Sequence, residues 1–409
     1  NARQPVPSAS VDYEIDVMSP STEWLGNNLT TLEAWDGVAD WTTFQGNSAH
    51  TGHVPVDVDP NQFSTRWKIR ALALSANFYQ NLSTIAASDG QFFVAGENKI
   101  YARSEFDGRA VWSHNFTGLL QYPSVNPPAV SDGVVYMAAG QQDSTYLYAF
   151  NAGDGSLVFR SPMSSQWEHY LAPTVGENGV YTNAGTYGGL YAFDRTGIQL
   201  YFAFMDQTSA WTPAVDSSGV YGYTGGVLQV ADPVSGAILT SINDPNFVNY
   251  TYEIGGSPVL GAPGSVFVAN YVNSLLNDGA IGNSLINFDV AGGDIAWRKA
   301  GDYASTPAYA DGVVYAANEL PLRLEARTEA DGALLWSWTP PQAGDEDFES
   351  EVLLTDNLAF VSTNLATYAI DLDTHLTVWS YPQTGRLALS RSGILYLQGT
   401  EALTAINVK

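Results

Sequence analysis

Residues 131–160 read SDGVVYMAAGQQDSTYLYAFNAGDGSLVFR, and the pattern of this stretch decides the fold. The SDG turn signal at 131–133 is followed by a short run of alternating apolar residues. An Asp-Gly pair beside such a run is typical of a tight turn between antiparallel strands. A second run, 147–151, leads to a turn at Gly155, and Phe159 stands four residues after that glycine. The alternation predicts strands, since a helix repeats its apolar residues every three or four positions.

The same unit recurs along the chain. Its first turn glycine, replaced once by asparagine, stands at positions 90, 133, 179, 219, 264, 312, 357 and 393, at spacings of 36 to 48 residues. This spacing is typical of the four-stranded blades of a β-propeller. Eight copies therefore predict eight blades.

Each unit also carries a large residue four positions after its second turn. These pairs are Gly108 with Trp112, Gly155 with Phe159, Gly197 with Tyr201, Gly293 with Trp297, Gly332 with Trp336 and His375 with Trp379. The unit around Gly236 differs, because Thr240 stands in the aromatic position. Alternation places each aromatic on one face of an outer strand, so we expect this stripe to pack between blades rather than to bind a ligand.

The last unit has room for only three strands. It runs from 386 to 409, and the missing fourth strand is available at 63–69, which carries a tryptophan in the expected place. Joining the two segments in one blade would close the ring and cover both free sheet edges. The predicted fold is therefore all-β: an eight-bladed β-propeller of four-stranded antiparallel blades, closed by an N-terminal strand in the C-terminal blade.

The predicted ring divides the chain into two parts. Residues 62–409 are predicted to form the propeller, and residues 1–61 an N-terminal arm that packs on it. Thr30 and Glu33 have the spacing of a capping box, which predicts a short helix over 30–35.

Composition excludes several classes of function. The chain has 16 basic and 42 acidic residues, a net charge of −26, which argues against nucleic acid and anionic membranes as partners. It has no cysteine, so disulfides, thiolate metal sites and a cysteine nucleophile are excluded. No apolar run approaches the roughly 20 residues of a membrane span. Together these features favour a secreted or periplasmic protein.

The predicted topology places one set of loops at the mouth of the central channel. They join the outer strand of one blade to the inner strand of the next, and they are rich in aromatic, amide and carboxylate side chains. Such a surface suits a polar small molecule, a glycan or a protein. The candidate ligand-binding residues are Trp167, Trp211, Tyr252, Glu253, Asp302, Tyr303 and Arg386.

Glu168, His169 and Tyr170 are the candidate catalytic residues. His169 has the chemistry of a general acid or base at neutral pH. Adjacent residues of an extended segment point to opposite sides, so Glu168 and His169 do not both face one substrate. The alternative is a structural histidine with no catalytic role.

Asp345, Asp347 and Glu349 lie in an acidic run at the same predicted face. Calcium takes several oxygen ligands, so these carboxylates are the candidate metal site. The alternative is a solvated loop. We expect no other cofactor.

These motifs together resemble the repeat of quinoprotein-type propellers. The resemblance lies in the Asp/Asn-Gly turn, the Tyr-Ala-Phe strand and the Gly-x-x-x-Trp pair. In addition, residues 41–52, WTTFQGNSAHTG, are similar to the segment that leads into those propellers. The resemblance covers about residues 41–409. It implies that glycine and tryptophan dock neighbouring blades. It does not single out one function, because the repeat serves both pyrroloquinoline-quinone (PQQ) dehydrogenases and non-enzymatic scaffolds such as the outer-membrane assembly lipoprotein.

Three functions remain to be compared. The first is an extracytoplasmic binding or assembly propeller that recognises a polar ligand, a glycan or a protein without catalysis. The alternative is a carbohydrate-active enzyme, a polysaccharide lyase or glycosidase, that uses His169, Tyr170 and the mouth carboxylates. A PQQ-dependent dehydrogenase is disfavoured, because the vicinal cysteine pair of that enzyme type is absent and Arg386 is the one arginine predicted at the mouth. Enzyme activity is left open.

Overall fold

Eight antiparallel sheets stand around a ring, as the repeat predicts. The computed structural model describes residues 24–25, 29–71, 83–96, 98–116, 124–140, 144–164, 171–183, 188–206, 211–247, 254–255, 257–272, 283–303 and 305–409. Within these ranges all regular secondary structure is β-strand, except for one 3-10 turn at Pro60–Gln62.

Blades 1 to 4 follow one another in the chain, each with its innermost strand first. Blade 1 contains β3 (Ala86–Ser88), β4 (Gln91–Gly96), β5 (Lys99–Ser104) and β6 (Ala110–Asn115). Blade 2 contains β7 (Ser124–Val125), β8 (Ala129–Ser131), β9 (Val134–Gly140), β10 (Thr145–Asn151) and β11 (Leu157–Met163). Blade 3 contains β12 (Thr174–Val175), β13 (Val180–Asn183), β14 (Leu190–Phe193) and β15 (Gln199–Ala203). Blade 4 contains β16 (Ala214–Val215), β17 (Val220–Thr224), β18 (Val227–Ala231) and β19 (Ile238–Asn243).

Blades 5 to 8 complete the ring. Blade 5 contains β20 (Ile254–Gly255), β21 (Val259–Leu260), β22 (Ser265–Val272), β23 (Ser284–Asp289) and β24 (Asp294–Ala300). Blade 6 contains β25 (Ala308–Ala310), β26 (Val313–Glu319), β27 (Leu322–Thr328) and β28 (Leu334–Trp338). Blade 7 contains β29 (Leu353–Leu354), β30 (Leu358–Ser362), β31 (Thr367–Asp371) and β32 (Thr377–Tyr381). Blade 8 contains β33 (Arg386–Leu389), β34 (Ile394–Gln398), β35 (Ala402–Asn407) and β2 (Ser64–Arg70). In blades 2 and 5 the innermost strand is interrupted and counts as two short strands.

The closure of the ring is confirmed. β2 pairs antiparallel with β35, from Ser64 opposite Asn407 to Arg70 opposite Ala402. A further short strand, β1 (Trp24–Leu25), pairs with the outer side of β2. Both termini of the ring are therefore held in one sheet, and the edge of that sheet is partly covered by the chain itself.

The turns between the first two strands of a blade set the repeat. Asp89, Asp132 and Asp311 have φ angles of 52°, 50° and 47°, and each is followed by a glycine that also has a positive φ. Two successive residues with positive φ are the requirement of a type I′ hairpin, which Asp-Gly meets at low cost. These turns lie on one face of the ring, which we call the turn face. The channel mouth lies on the opposite face.

The aromatic stripe packs between blades, as expected. Five of the aromatics cover the second-turn glycine of the next blade, so that a β-carbon on the glycine would lie 2.3 to 3.0 Å from the ring. The pairs are Trp67 with Gly108, Trp112 with Gly155, Phe159 with Gly197, Tyr201 with Gly236 and Trp297 with Gly332. In blade 7 His375, with a φ of 60°, stacks on Trp336 at 4.6 Å between ring centres. Because blade 4 has Thr240 in place of the aromatic, Gly293 of blade 5 has no such neighbour within 4 Å.

Residues 41–54 run through the centre of the ring, and we call them the plug. Their oxygens accept backbone N–H groups from the innermost strands in ring order. These bonds join Trp41 to Ala87, Thr42 to Val130, Ser48 to Val215, Ala49 to Leu260, Thr51 to Tyr309 and Gly52 to Leu354, all at 2.7 to 2.9 Å. The Thr43 hydroxyl bonds the carbonyl of Pro173 in front of β12. One short segment therefore contacts blades 1 to 7 and fills the channel on the side of the turn face.

The helix predicted over 30–35 is wrong. These residues form no helix, because their backbone groups bond to blade 8 instead. Arg66 Nη2 donates to the Thr30 carbonyl, Lys409 Nζ to the Glu33 carbonyl, and the Trp35 N–H donates to the Arg391 carbonyl. Tertiary hydrogen bonds thus outweigh the local capping pattern.

Candidate functional site

The mouth is described mainly over blades 6, 7 and 8. The loops there are 301–307 without 304, 320–321, 339–352, 363–366, 382–385 and 399–401. The candidate residues Trp167, Glu168, His169, Tyr170, Tyr252 and Glu253 lie outside the described residues. The catalytic hypothesis built on them stays a prediction.

Two of the candidate ligand-binding residues are enclosed by the fold. Trp211 is 2% exposed and packs between blades 3 and 4. Tyr303 is 0% exposed, and its hydroxyl donates to Glu325 Oε2 at 2.7 Å. These two aromatics are therefore part of the packing between and within blades, and their rings are not exposed at the mouth.

Glu325 is the centre of a buried network in blade 6. Its carboxylate accepts hydrogen bonds from Tyr303, Asn318, Arg323 and Arg327 at 2.6 to 3.1 Å. Burial alone would raise the pKa of Glu325, but the hydrogen bonds from Tyr303, Arg327 and Asn318 outweigh it and lower that pKa. The network ties the loop before β25 to the end of β26 and the start of β27. It therefore fixes the position of Tyr303 and Asn318 beneath the blade 6 part of the mouth.

Four carboxylates above this network form what we call the acidic rim: Asp302, Glu319, Asp347 and Glu349. The Glu319 N–H donates to the Asp302 carbonyl at 2.7 Å, and the Glu319 carboxylate accepts the Phe348 N–H at 3.1 Å. Burial, together with the charges of Asp347, Asp302 and Glu349, raises the pKa of Glu319 to about 7, although the Phe348 N–H opposes the shift. The rim therefore carries electrostatic repulsion that a bound cationic group would relieve.

Charge removal at Glu319 is expected to stabilise the protein at alkaline pH. A folded pKa near 7, against an ordinary 4.5, means that the folded chain retains a proton which the unfolded chain releases in this window. Stability therefore falls as pH rises through it. We expect Glu319→Gln to raise the free energy of unfolding by about 1–2 kcal/mol at about pH 8, a figure that is reduced because the Glu319 side chain is partly exposed. At about pH 4, where Glu319 is protonated, we expect no change in the free energy of unfolding.

Urea unfolding at the two pH values, followed by tryptophan fluorescence, measures the difference. The glutamine introduced by Glu319→Gln would keep an oxygen for the Phe348 N–H, so the substitution changes mainly the charge. If Glu319→Gln changed the free energy of unfolding equally at both pH values, the change would not come from the ionised Glu319 carboxylate and its repulsion by the other rim carboxylates.

The candidate calcium ligands are not brought together. Asp345 accepts hydrogen bonds from Thr363 Oγ1 and from the Tyr368 hydroxyl, the latter at 2.9 Å. Asp347 and Glu349 are exposed members of the acidic rim. Over the described part of the chain, no three His, Asp or Glu side chains form a group that could hold a metal ion. Calcium binding stays a prediction.

Arg386 is paired with the carboxylate of Glu351. Arg323 and Arg327 are both paired with Glu325. The arginines of the described mouth are thus committed to carboxylates of this chain, and the surface beside them is acidic. PQQ is a tricarboxylate and requires unpaired cationic groups. The expectation that PQQ is not a cofactor stays a prediction.

The repeat pattern of the sequence predicts no functional role for His50. This histidine lies in the plug with a φ of 59° and is fully buried. Its Nδ1 lies 3.0 Å from the Pro258 carbonyl and its Nε2 lies 3.1 Å from Thr174 Oγ1. Burial lowers the pKa of His50 to about 4, although the Pro258 carbonyl opposes the shift. A neutral histidine thus links blades 3 and 5 across the channel.

No helix in the ranges described above is long and apolar enough to cross a membrane. The sequence matches the family model described as "Outer membrane protein assembly factor BamB" over residues 126–273 and, overlapping these, 224–391. Among curated proteins no sequence matches the chain.

Solved structures show the same fold at low identity. BamB from Moraxella catarrhalis is 14% identical, with a TM-score of 0.65 over 84% of this chain and 99% of its own. A quinohemoprotein alcohol dehydrogenase, ADHIIG, from Pseudomonas putida HK5 is 12% identical, with a TM-score of 0.63 over 90% of this chain and 80% of its own. A europium-containing methanol dehydrogenase is 11% identical, with a TM-score of 0.59 over 88% of this chain and 89% of its own.

Proposed function

This chain belongs to the PQQ-like β-propeller repeat family whose model is described as outer membrane protein assembly factor BamB, and on that basis we propose that it is a non-catalytic binding or assembly propeller outside the cytoplasm. The family description names an outer membrane protein assembly factor, which supports a setting outside the cytoplasm. The pairing of Arg386, Arg323 and Arg327 with carboxylates of this chain favours a binding role over a quinone-dependent one.

The observation that carries the proposal is the acidic rim. Asp302 and Glu319 adjoin Tyr303 and Asn318 of the Glu325 network, whereas the backbone at Asp347 and Glu349 bonds to Asn364 and Ser362 of blade 7. Two leucines, Leu320 and Leu365, are exposed on loops of the same face. Hydrogen bonds that fix a surface in advance lower the ordering cost of binding. Apolar anchors beside a charged rim are typical of protein interfaces.

The partner that fits this surface is a cationic segment of another protein. Lysine or arginine side chains would relieve the repulsion among Asp302, Glu319, Asp347 and Glu349, while an apolar residue packs on Leu320 or Leu365. A segment of this composition also gains from the chain's net charge of −26 during association.

A labelled peptide of alternating lysine and leucine tests the proposal by fluorescence anisotropy. We expect the double variant Asp347→Asn/Glu349→Gln to bind it about 10-fold more weakly than the unchanged protein. The matched control is Glu177→Gln/Asp311→Asn, which removes the same number of charges from exposed acids on the turn face. We expect the control to bind within about 2-fold of the unchanged protein.

Equal weakening by both variants would mean that the peptide senses only net charge, and the rim would not be a binding surface. Catalysis is the other outcome to be sought. If the protein released products from neutral glycans or polyuronates, and His169→Ala abolished the release, the chain would be an enzyme and the proposal would fail.

A further inference from the structure

The outer strand of blade 3, β15, has an unusual surface. Its outward side chains are Leu200, Phe202 and, just beyond the strand, Phe204, which are 39%, 43% and 68% exposed. The alternate residues Tyr201, Ala203 and Met205 are buried against blade 4. Large apolar side chains therefore line both faces of this strand. One face packs against blade 4. On the other face Phe202 contacts Tyr191 at 4.9 Å between ring centres, and Leu200 and Phe204 remain exposed.

The other seven outer strands are polar at the position that corresponds to Phe202. That position holds a serine, an arginine or a lysine: Ser113, Arg160, Ser241, Arg298, Ser337, Ser380 and Lys68. Lysine and arginine at such a position disfavour the pairing of a sheet edge with another strand, and in blade 8 the short strand β1 already covers the edge beside Lys68. β15 has none of them, and in the part of the chain that the structure describes no strand pairs with its outer side.

We propose that β15 is a dimerisation edge, at which it pairs antiparallel with β15 of a second copy of this chain. The two four-stranded blades would form one continuous eight-stranded sheet across a two-fold axis. Such an interface is isologous, because the same strand serves both subunits.

Self-complementarity favours a second copy over another occupant. The outward pattern Leu-x-Phe-x-Phe is apolar in either direction, so antiparallel pairing about Phe202 places Leu200 opposite Phe204 of the second copy. Phe202 then faces its own equivalent. Cross-strand pairs of aromatic and aliphatic side chains are stabilising units of a sheet.

Charge also permits a second copy at this edge. Residues 196–205, TGIQLYFAFM, contain no Asp, Glu, Lys, Arg or His, although the whole chain has a net charge of −26. Two copies therefore meet here without opposed carboxylates. Blade 3 lies opposite blade 7 in a ring of eight, so the pairing leaves the acidic rim free.

Sedimentation velocity in about 1 M NaCl, where the Debye length is about 3 Å, measures the oligomeric state without long-range repulsion. We expect a two-chain mass for the unchanged protein at tens of micromolar. The variant Leu200→Lys/Phe204→Lys is expected to weaken the dimer at least about 100-fold, to a one-chain mass. The matched control is Leu335→Lys/Thr339→Lys, at the same outward positions of blade 6, and it is expected to leave the two-chain mass unchanged.

A cysteine variant keeps the proposal testable if the lysine variant does not fold. The chain has no cysteine of its own, so Phe202→Cys introduces a single thiol beside the expected axis. Mild oxidation should then give a disulfide-linked pair, and Leu335→Cys should not. A one-chain mass for the unchanged protein at every concentration, or equal dissociation of test and control variants, would overturn the proposal.

Discussion

Replacing Gly236 with alanine is expected to lower the free energy of unfolding by about 3–4 kcal/mol, whereas Gly293→Ala is expected to cost about 1–2 kcal/mol. The two glycines occupy the same turn in successive blades and have φ angles of 72° and 69°. Alanine meets the same left-handed backbone strain at both. The difference between the variants therefore isolates what lies beside the new methyl group.

The neighbours of the two glycines differ completely. A β-carbon on Gly236 would lie 2.3 Å from the ring of Tyr201, which is buried between blades and has no room to withdraw. A β-carbon on Gly293 would have no neighbour within 4 Å, because the preceding blade has Thr240 in place of an aromatic residue. Overpacking at a rigid interface is destabilising, and an added methyl group in open space is not.

Urea unfolding of both variants, with tryptophan fluorescence as the signal, gives the two free energies under identical conditions. The difference between the two variants tests why each blade has a glycine at this turn. If Gly293→Ala proved as harmful as Gly236→Ala, backbone strain alone would explain the glycine, and inter-blade docking would not be its cause.

Replacing His50 with asparagine is expected to cost about 2–3 kcal/mol near pH 7.5 and to remove the loss of stability that His50 causes as pH falls towards 4. Asparagine tolerates the positive φ of this position better than other residues. It cannot, however, bridge both the Pro258 carbonyl and Thr174 Oγ1 across the channel, nor keep the edge contact of the imidazole with Phe44.

The sign of the pH effect follows from the lowered pKa. Between pH 6.5 and about 4 the unfolded chain binds a proton at His50 that the folded chain does not, so the unchanged protein loses stability as pH falls through this window. The full loss is about 3 kcal/mol. In His50→Asn that contribution is absent. The two proteins should therefore differ most near pH 7.5 and converge towards pH 4.

Unfolding free energies of both proteins at several pH values between these limits test the prediction. The raised pKa of Glu319 acts in the opposite direction, so the difference between the two proteins is the informative quantity, rather than either profile alone. A constant difference at every pH would contradict a neutral His50 in the plug.

The sequence predicted the ring because its determinants are local. An Asp-Gly turn and a period of two specify a hairpin wherever they occur, and eight copies specify eight blades. The fourth strand of blade 8 was found by the same reasoning, since a lone unit with three strands leaves an edge that 63–69 completes. The glycine and aromatic pairs also belong to this class, because their spacing repeats with the blade.

The candidate site was predictable only to the level of the face on which it lies. Topology assigns a loop to the mouth, but packing by other blades decides whether a side chain there is exposed. Tyr303 turned inward to Glu325, and Trp211 is enclosed between blades 3 and 4. The capping pattern at Thr30 and Glu33 failed for a related reason, since blade 8 supplied better partners for the backbone.

By itself, the sequence determined the fold class, the number of blades and the closure of the ring, because short-range turn chemistry and side-chain alternation carry that information. Only the tertiary structure decided which carboxylates converge in the acidic rim, that residues 41–54 fill the channel and that His50 is held neutral within it. The physical reason is distance along the chain. Asp302 lies in the loop before blade 6, Glu319 ends β26 and Asp347 lies in the loop between blades 6 and 7. His50 meets partners more than a hundred residues away. The electrostatics of these groups exist only once blades and plug have packed together.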